Sequence, residues 1–312
     1  MHVVVMGTGG LGGFYGGRLA LAGHKVSFVA RGPQLDALKK QGLRLVGPDE
    51  DALVPDVVAS SDPADLEPAD YILFCVKLYD VEEAASLIRP IVGSETSIVS
   101  VLNGINGPER ISHALQHPHV FGGAALVSAK VESPGVVRYM GRASGHSLIA
   151  GHLDPSQNNR LAPLSDMAKT ASFDLILTDK IEKALWDKVV QLATVAGLTS
   201  LGRFPIGTVL AHDELKQMAQ VLLSEVYALA KAKKIPLDDD IVQKKMDLYQ
   251  TFPPNLYASM YHDLAAGKRM EVEDIIGYLV REAASYDVPM PCMNFIYAFL
   301  KPWANGQENL SI

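Results

Sequence analysis

Val3-Val4-Val5-Met6-Gly7-Thr8-Gly9-Gly10-Leu11-Gly12, close to the start of the chain, decides the fold. Its apolar residues form a short unbroken run, which marks a strand buried on both faces. Gly7, Gly9 and Gly12 follow in a G-x-G-x-x-G pattern. The first glycine permits a tight turn, the second lets backbone approach a pyrophosphate, and the third allows close helix–strand packing. The N–H groups at the start of the following helix suit phosphate oxygens. A Gly-rich turn with no ligand would show the same letters, but the strand before it and the helix after it are the context of a dinucleotide site. Gly7, Thr8, Gly9, Gly10, Leu11 and Gly12 are therefore candidate cofactor contacts.

Working outward, Gly10–Ala22 reads as a helix ending at Gly23, and Val26–Ala30 as the second strand. About 20 residues beyond the Gly loop an NAD site carries an Asp or Glu for the ribose 2′-hydroxyl. Ala30-Arg31-Gly32 stands there instead. A guanidinium pairs with a 2′-phosphate that a carboxylate would repel, so Arg31 favours NADP(H). A solvated arginine after a strand is the plainer alternative. Gln34–Gln41 is helical, Tyr71–Val76 and Ser97–Leu102 are buried strands, and Val81–Pro90 is a helix between them. This βαβα rhythm predicts an α/β fold, a Rossmann-type doubly wound parallel sheet. Ligands in such sheets lie beyond the carboxyl ends of the strands, which places Lys77 and Asn103 as candidate cofactor contacts, against ordinary turn residues.

From Val120 the pattern changes. Phe121–Val127, Val136–Tyr139 and Ser147–Ala150 read as strands broken by Pro134–Gly135 and Gly141–Gly145, a meander closing one sheet edge. Pro155–Arg160 reads as a polar loop and Leu161–Ala171 as a helix. After Thr178 strands cease. Asp179 with Glu182 forms a capping pattern, and helices run over Asp213–Lys234, Asp238–Gln250, Asn255–Ala266, Glu271–Tyr286 and Pro291–Pro302. The reading is residues 1–178 as an NADP(H)-binding domain and 179–312 as an all-helical substrate and catalytic domain.

Composition narrows the class. With 312 residues, 48% hydrophobic, two domains and a sizeable core are expected. A net charge of −7 without a Lys/Arg block leaves no footprint for nucleic acid or an anionic membrane. Two distant cysteines, Cys75 and Cys292, suit a reducing compartment and neither a disulfide framework nor zinc. Met1 leads straight into a strand with no signal-peptide pattern, and no apolar run reaches ~20 residues, so a cytoplasmic protein is expected. His113, His117 and His119 read as a solvated loop, and no metal is expected. The aromatic segment Phe295–Trp303 suits packing on the helical domain or on a second subunit of a homodimer.

In the helix after Asp179, Lys180, Lys183, Asp187, Gln191 and Thr194 form a polar stripe opposite Ile181, Leu185, Leu192 and Ala196. Lys188 falls in the apolar stripe. Periodicity alone favours a snorkelling lysine with buried methylenes. The functional alternative is an ammonium in a cleft between domains, donating a proton to a carbonyl that accepts hydride.

These residues, taken together, resemble the ketopantoate reductase (2-dehydropantoate 2-reductase) family over nearly the whole chain. The resemblance rests on Gly7-x-Gly9-x-x-Gly12, Arg31, Val76-Lys77, Leu102-Asn103-Gly104, Trp186-Asp187-Lys188, Ser259-Met260-Tyr261-His262-Asp263-Leu264 and Glu271. It implies NADPH-dependent reduction of a small 2-oxo acid to a 2-hydroxy acid, in pantothenate biosynthesis. By resemblance, Lys188 is the proton donor to the carbonyl oxygen and Glu271 holds Lys188 or the cofactor ribose. Ser259 hydrogen-bonds the substrate, and Asn103 touches nicotinamide and substrate. The resemblance tips Lys188 from snorkelling to catalysis.

The chain departs from the pattern at Leu192, Ala196 and Ile206, where members acting on ketopantoate usually carry asparagines. A site built on such amides discriminates through them. Their loss implies a 2-oxo acid with a more apolar tail, or weak ketopantoate turnover. Other dehydrogenases with a helical second half, of β-hydroxyacid or glycerol-3-phosphate type, lack the Ser259/Glu271 spacing. A non-catalytic NADP(H)-binding sensor would not need to keep Lys188 and Glu271, whose burial is costly.

Overall fold

The computed structural model describes residues 1–48, 50–140 and 147–306. The chain divides into two compact units, Met1–Ala184 and Leu185–Ile312.

The first unit opens with β1 (His2–Met6), α1 (Gly10–Leu21), β2 (Lys25–Val29) and α2 (Gly32–Gln41). Then come β3 (Leu43–Val46), β4 (Asp51–Val54), β5 (Val58–Ser60), β6 (Ala69–Phe74), α3 (Val81–Ile88), β7 (Val92–Ser100) and α4 (Gly107–Leu115). It continues through β8 (Val120–Ala125), β9 (Ala129–Ser133), β10 (Val136–Tyr139), β11 (Ser147–Gly151), α5 (Ala162–Thr170) and β12 (Asp174–Leu177). An eight-stranded sheet runs in the order β12-β11-β8-β7-β6-β1-β2-β5. From β5 to β8 every neighbouring pair is parallel, and only β8 against β11 is antiparallel. Val3, Val4 and Val5 are fully buried at its centre, as a strand covered on both faces requires.

A second sheet, ordered β4-β3-β10-β9, escaped the sequence reading. It corrects the expected meander: β8 and β11 pair antiparallel in the main sheet, but β12 forms the edge beyond them and Val136–Tyr139 pairs with β3 and β9 instead. The Gly141–Gly145 break lies outside the described residues. This small sheet sits on α1, and the glycines of α1 explain how. A Cβ at Gly10 would lie 2.2 Å from the Ala129 carbonyl oxygen, and one at Gly13 would lie 2.6 Å from Val137. Glycine weakens a helix interior by roughly 0.5–1 kcal/mol relative to alanine, so these positions accept that cost for close approach. Arg18 fastens the layers: its guanidinium donates to the Ala171 carbonyl at 3.0 Å and pairs with Glu50 at 2.6 Å, where the Tyr139 hydroxyl also donates.

Pro155–Leu161 forms a 3-10 helix rather than an open loop. His117 is not solvated either. It is buried, and its Nε2 lies 2.6 Å from the Thr96 carbonyl oxygen, because β7 and β8 run past it. Asp179 accepts a hydrogen bond from the Asn158 amide, while the Thr178 hydroxyl accepts from the Lys180 N–H.

Helix α6 (Ile181–Gly202) leads into the second unit, which holds α7 (Ile206–Ala211), α8 (Asp213–Ala232), α9 (Ile241–Gln250) and α10 (Ser259–Ala265). A π-helical turn (Glu273–Gly277) runs directly into α11 (Tyr278–Ser285), and α12 (Pro291–Leu300) follows. The described residues of this unit contain no strand. Residues 193–200 of α6 are buried all round, as in a helix at the centre of a bundle. That corrects the polar stripe at Thr194, which is fully buried and returns its hydroxyl to the Val190 carbonyl at 3.2 Å. In α12, Met293, Ile296 and Leu300 enter the core, whereas Phe295 and Phe299 stay exposed with ring centroids 4.5 Å apart. No helix among the described residues is long and apolar enough to cross a membrane.

Candidate active site

Strands β7, β6, β1 and β2 are neighbours in the main sheet, so their carboxyl ends bring Asn103, Lys77, the Gly loop and Arg31 to one edge. The loop is tightly held. The N–H groups of Gly7 and Thr8 both donate to the Val29 carbonyl at 3.2 Å, and the Thr8 hydroxyl donates to it at 3.1 Å. Gly7 has φ +93°, which lies in the region glycine tolerates best. A Cβ at Gly12 would stand 2.2 Å from the Gly7 carbonyl oxygen, so only glycine lets α1 start this close to β1. A Cβ at Gly9, by contrast, would meet nothing within 4 Å. Each position therefore has the property that its place in the motif demands, and the open side of Gly9 fits an approaching phosphate.

Arg31 precedes α2, and its side chain is 78% exposed. Its guanidinium holds the Asp80 carboxylate at 3.0 Å. Asp80 had no sequence signal beyond its position past β6. An exposed pair of this kind is worth little, so a dianionic phosphate can displace it. Lys77 is half-buried just before the 3-10 turn Leu78–Asp80, and Asn103 is half-buried just before Gly104, whose φ is +99°.

Lys188 and Glu271 belong to the second unit. Lys188 is half-buried on α6, and Glu271 is 4% exposed in the turn before the π-helix. Burial pushes the Lys188 ammonium down to about 8, while the Glu271 carboxylate pulls the other way. Desolvation wins, which brings the loss of the ammonium proton close to neutral pH. Ser259 is exposed at the first position of α10. The Thr199 hydroxyl of α6 accepts from the Ala258 N–H at 3.3 Å, which ties the start of α10 to the lysine's helix. Of the three apolar substitutions, Ala196 and Ile206 are each 1% exposed, while Leu192 keeps some exposure. Among the described residues no cluster of His, Cys, Asp and Glu is arranged to hold a metal ion.

A family model for ketopantoate reductase PanE/ApbA matches residues 3–152, and its C-terminal counterpart matches residues 180–304. This chain belongs to the ketopantoate reductase family. The 2-dehydropantoate 2-reductase of Halobacterium salinarum is 28% identical, over 93% of this chain and 95% of that protein. The crystal structure of the Porphyromonas gingivalis W83 2-dehydropantoate 2-reductase is 30% identical with a TM-score of 0.82, covering 96% of this chain and 99% of that one. A D-mandelate dehydrogenase, solved with NADH and anilino(oxo)acetate, is 20% identical with a TM-score of 0.88 over 97% of this chain and 98% of its own, a likeness of fold alone. Membership makes the chain an NADP-dependent oxidoreductase acting on a carbonyl/alcohol pair, of the 2-oxo acid reductase kind.

The environment of Arg31 carries a prediction about cofactor choice. If Arg31 is the partner of the 2′-phosphate, Arg31→Ser removes that cation, and charge-assisted hydrogen bonds contribute about 1.5–3 kcal/mol each. The Kd for NADPH should rise roughly 10–100-fold while that for NADH stays within about twofold. Fluorescence titration of both nucleotides measures this. An unchanged preference would mean that Arg31 is only a surface arginine.

Proposed function

We propose that this reductase converts 2-dehydropantoate, or a close 2-oxo acid relative, to the 2-hydroxy acid. The observation that carries the reading is the half-buried Lys188, poised at about 8 against the buried Glu271. NADPH supplies the hydride. Gly7 to Gly12 and Lys77 hold phosphate and ribose, and Arg31 takes the 2′-phosphate. Lys188 gives its proton to the oxygen of the carbonyl being reduced, where negative charge develops. Glu271 keeps the ammonium charged and oriented. Ser259 donates a hydrogen bond to the substrate, and Asn103 serves nicotinamide and substrate.

A second substrate reading rests on Leu192, Ala196 and Ile206. Two of these side chains are sealed in the helical unit, and none can donate or accept a hydrogen bond. With no amide at these three positions to hold hydroxyls, a tail without them is favoured over the hydroxylated tail of ketopantoate. Steady-state kinetics with a panel of aliphatic and hydroxylated 2-oxo acids, each with NADPH and NADH, separates the two. The apolar reading expects ketopantoate to be outrun by an unhydroxylated branched acid. It is wrong if kcat/KM for ketopantoate exceeds ~10⁴ M⁻¹s⁻¹, an ordinary enzymatic value. If no 2-oxo acid is turned over, the substrate class itself is wrong.

A further inference from the structure

Helix α9 grips α6 at the turn that carries Lys188. The Lys245 ammonium lies 2.5 Å from an Asp187 carboxylate oxygen, and the Lys245 side chain is only 8% exposed. One turn further along α9, the fully buried Tyr249 donates its hydroxyl to the Gln191 carbonyl at 2.9 Å. Residues 245 and 249 are thus spaced i, i+4 on one helix, and so are their partners 187 and 191 on the other. Lys188 lies between the two points of attachment.

Apolar contacts are non-directional, and a central helix held by them alone is free to settle its rotation wherever packing allows. Two directional bonds to successive turns remove that freedom. They fix the rotation of α6 about its axis and its height along it, and hence the direction in which Lys188 leaves the helix. Stability is a poor explanation for the pair. Burying an ammonium is expensive, and well-packed apolar replacements of a buried ion pair are often neutral or stabilising. Asp187 is itself 41% exposed, so solvent already serves part of its carboxylate.

We infer that Lys245 and Tyr249 are positioning residues for the reduction: through Asp187 and the Gln191 carbonyl they hold Lys188 in its productive orientation. This rests on the proposed role of Lys188 and goes beyond it, since neither α9 residue need touch substrate or cofactor.

The test is a set of variants assayed for melting temperature, NADPH affinity, kcat and KM. The paired apolar replacement Asp187→Leu/Lys245→Met leaves no unpaired buried charge, so it should fold and melt within a few degrees of the parent. Its kcat should fall at least tenfold with the Kd for NADPH unchanged. Lys245→Arg keeps the ion pair and should retain most of the activity, and Tyr249→Phe should lose several-fold in kcat. Introduced into Lys188→Ala, the double replacement should have no further effect, because the brace acts through Lys188. Full kcat in the double replacement, or an equal loss with and without Lys188, overturns the inference. Should Lys188→Ala itself stay fully active, it is the proposed role of Lys188 that fails, and the two failures are told apart.

Discussion

Lys188→Ala lowers kcat/KM for the best 2-oxo acid by about 10²–10⁴-fold, the usual contribution of a positioned general acid, and leaves the Kd for NADPH unchanged. Arginine does not rescue it, since a guanidinium stays charged and is a poor proton donor at any working pH. The pH profile makes the same point independently. Burial lowers the Lys188 ammonium to about 8 against the pull of Glu271, and in the proposed mechanism carbonyl reduction needs the protonated form. For the wild-type protein kcat/KM for reduction is therefore level below about pH 8 and falls tenfold per unit above it. Oxidation of the 2-hydroxy acid needs the neutral amine and rises toward the same pH. Neither limb is present in Lys188→Ala. A variant that keeps full activity, or a wild-type profile flat through pH 9, removes Lys188 from the chemistry.

Gly12→Ala and Gly9→Ala give opposite results in the two assays that matter for the cofactor loop. At position 12 the new methyl would stand 2.2 Å from the Gly7 oxygen, 2.9 Å from Val5 and 3.0 Å from Cys75. Gly7 cannot retreat, because its own N–H is bonded to Val29 and its φ is +93°. Helix α1 must move off the sheet, at the roughly 1–3 kcal/mol typical of an overpacked core, with a melting temperature lower by several degrees. NADPH affinity falls about 100-fold or more as the helix N-terminus leaves its place, a change equivalent to about 2.7 kcal/mol. At position 9 the methyl meets no protein atom and φ is −84°, so alanine fits and the melting temperature holds. On the proposed placement of the cofactor NADPH affinity still drops, because the methyl would occupy the side from which the phosphate approaches. Thermal melts with fluorescence titration separate the two. Equal melting temperatures for both variants would show that the close approach at Gly12 is relaxed in solution.

The Rossmann-type sheet was legible because its signals are local. An unbroken apolar strand, a glycine motif and a second strand ending in Arg31 are adjacent in sequence, and each has one backbone solution. The helical second half was legible for the same reason, through helical periodicity and prolines. The small sheet was not. Strands β3, β4, β9 and β10 are short and partly exposed, and the pairing that unites them, β3 with β10, joins segments some 90 residues apart. Only the glycines of α1 hinted at it, and glycines at its start are also what a phosphate loop needs. His117 departs from the expected solvated loop because the proline next to it breaks the local pattern, whereas β7 and β8 cover it.

For the site, the Gly loop and the end of the second strand singled out Arg31, whereas the roles of Ser259 and Glu271 came only from the resemblance to the ketopantoate reductases. Periodicity favoured a snorkelling side chain at Lys188, and only the resemblance turned it toward catalysis. The buried Glu271, more than 80 residues later in the chain, is what distinguishes its surroundings. Sequence by itself determined the fold class and the cofactor type, because a strand, a turn and a helix start are set by neighbours along the chain. Only the tertiary structure decided that Arg31 waits on Asp80, that α9 clasps the turn of Lys188, and that burial outweighs Glu271 in setting its proton. Those are balances of desolvation against charge between distant segments, and no local pattern records them.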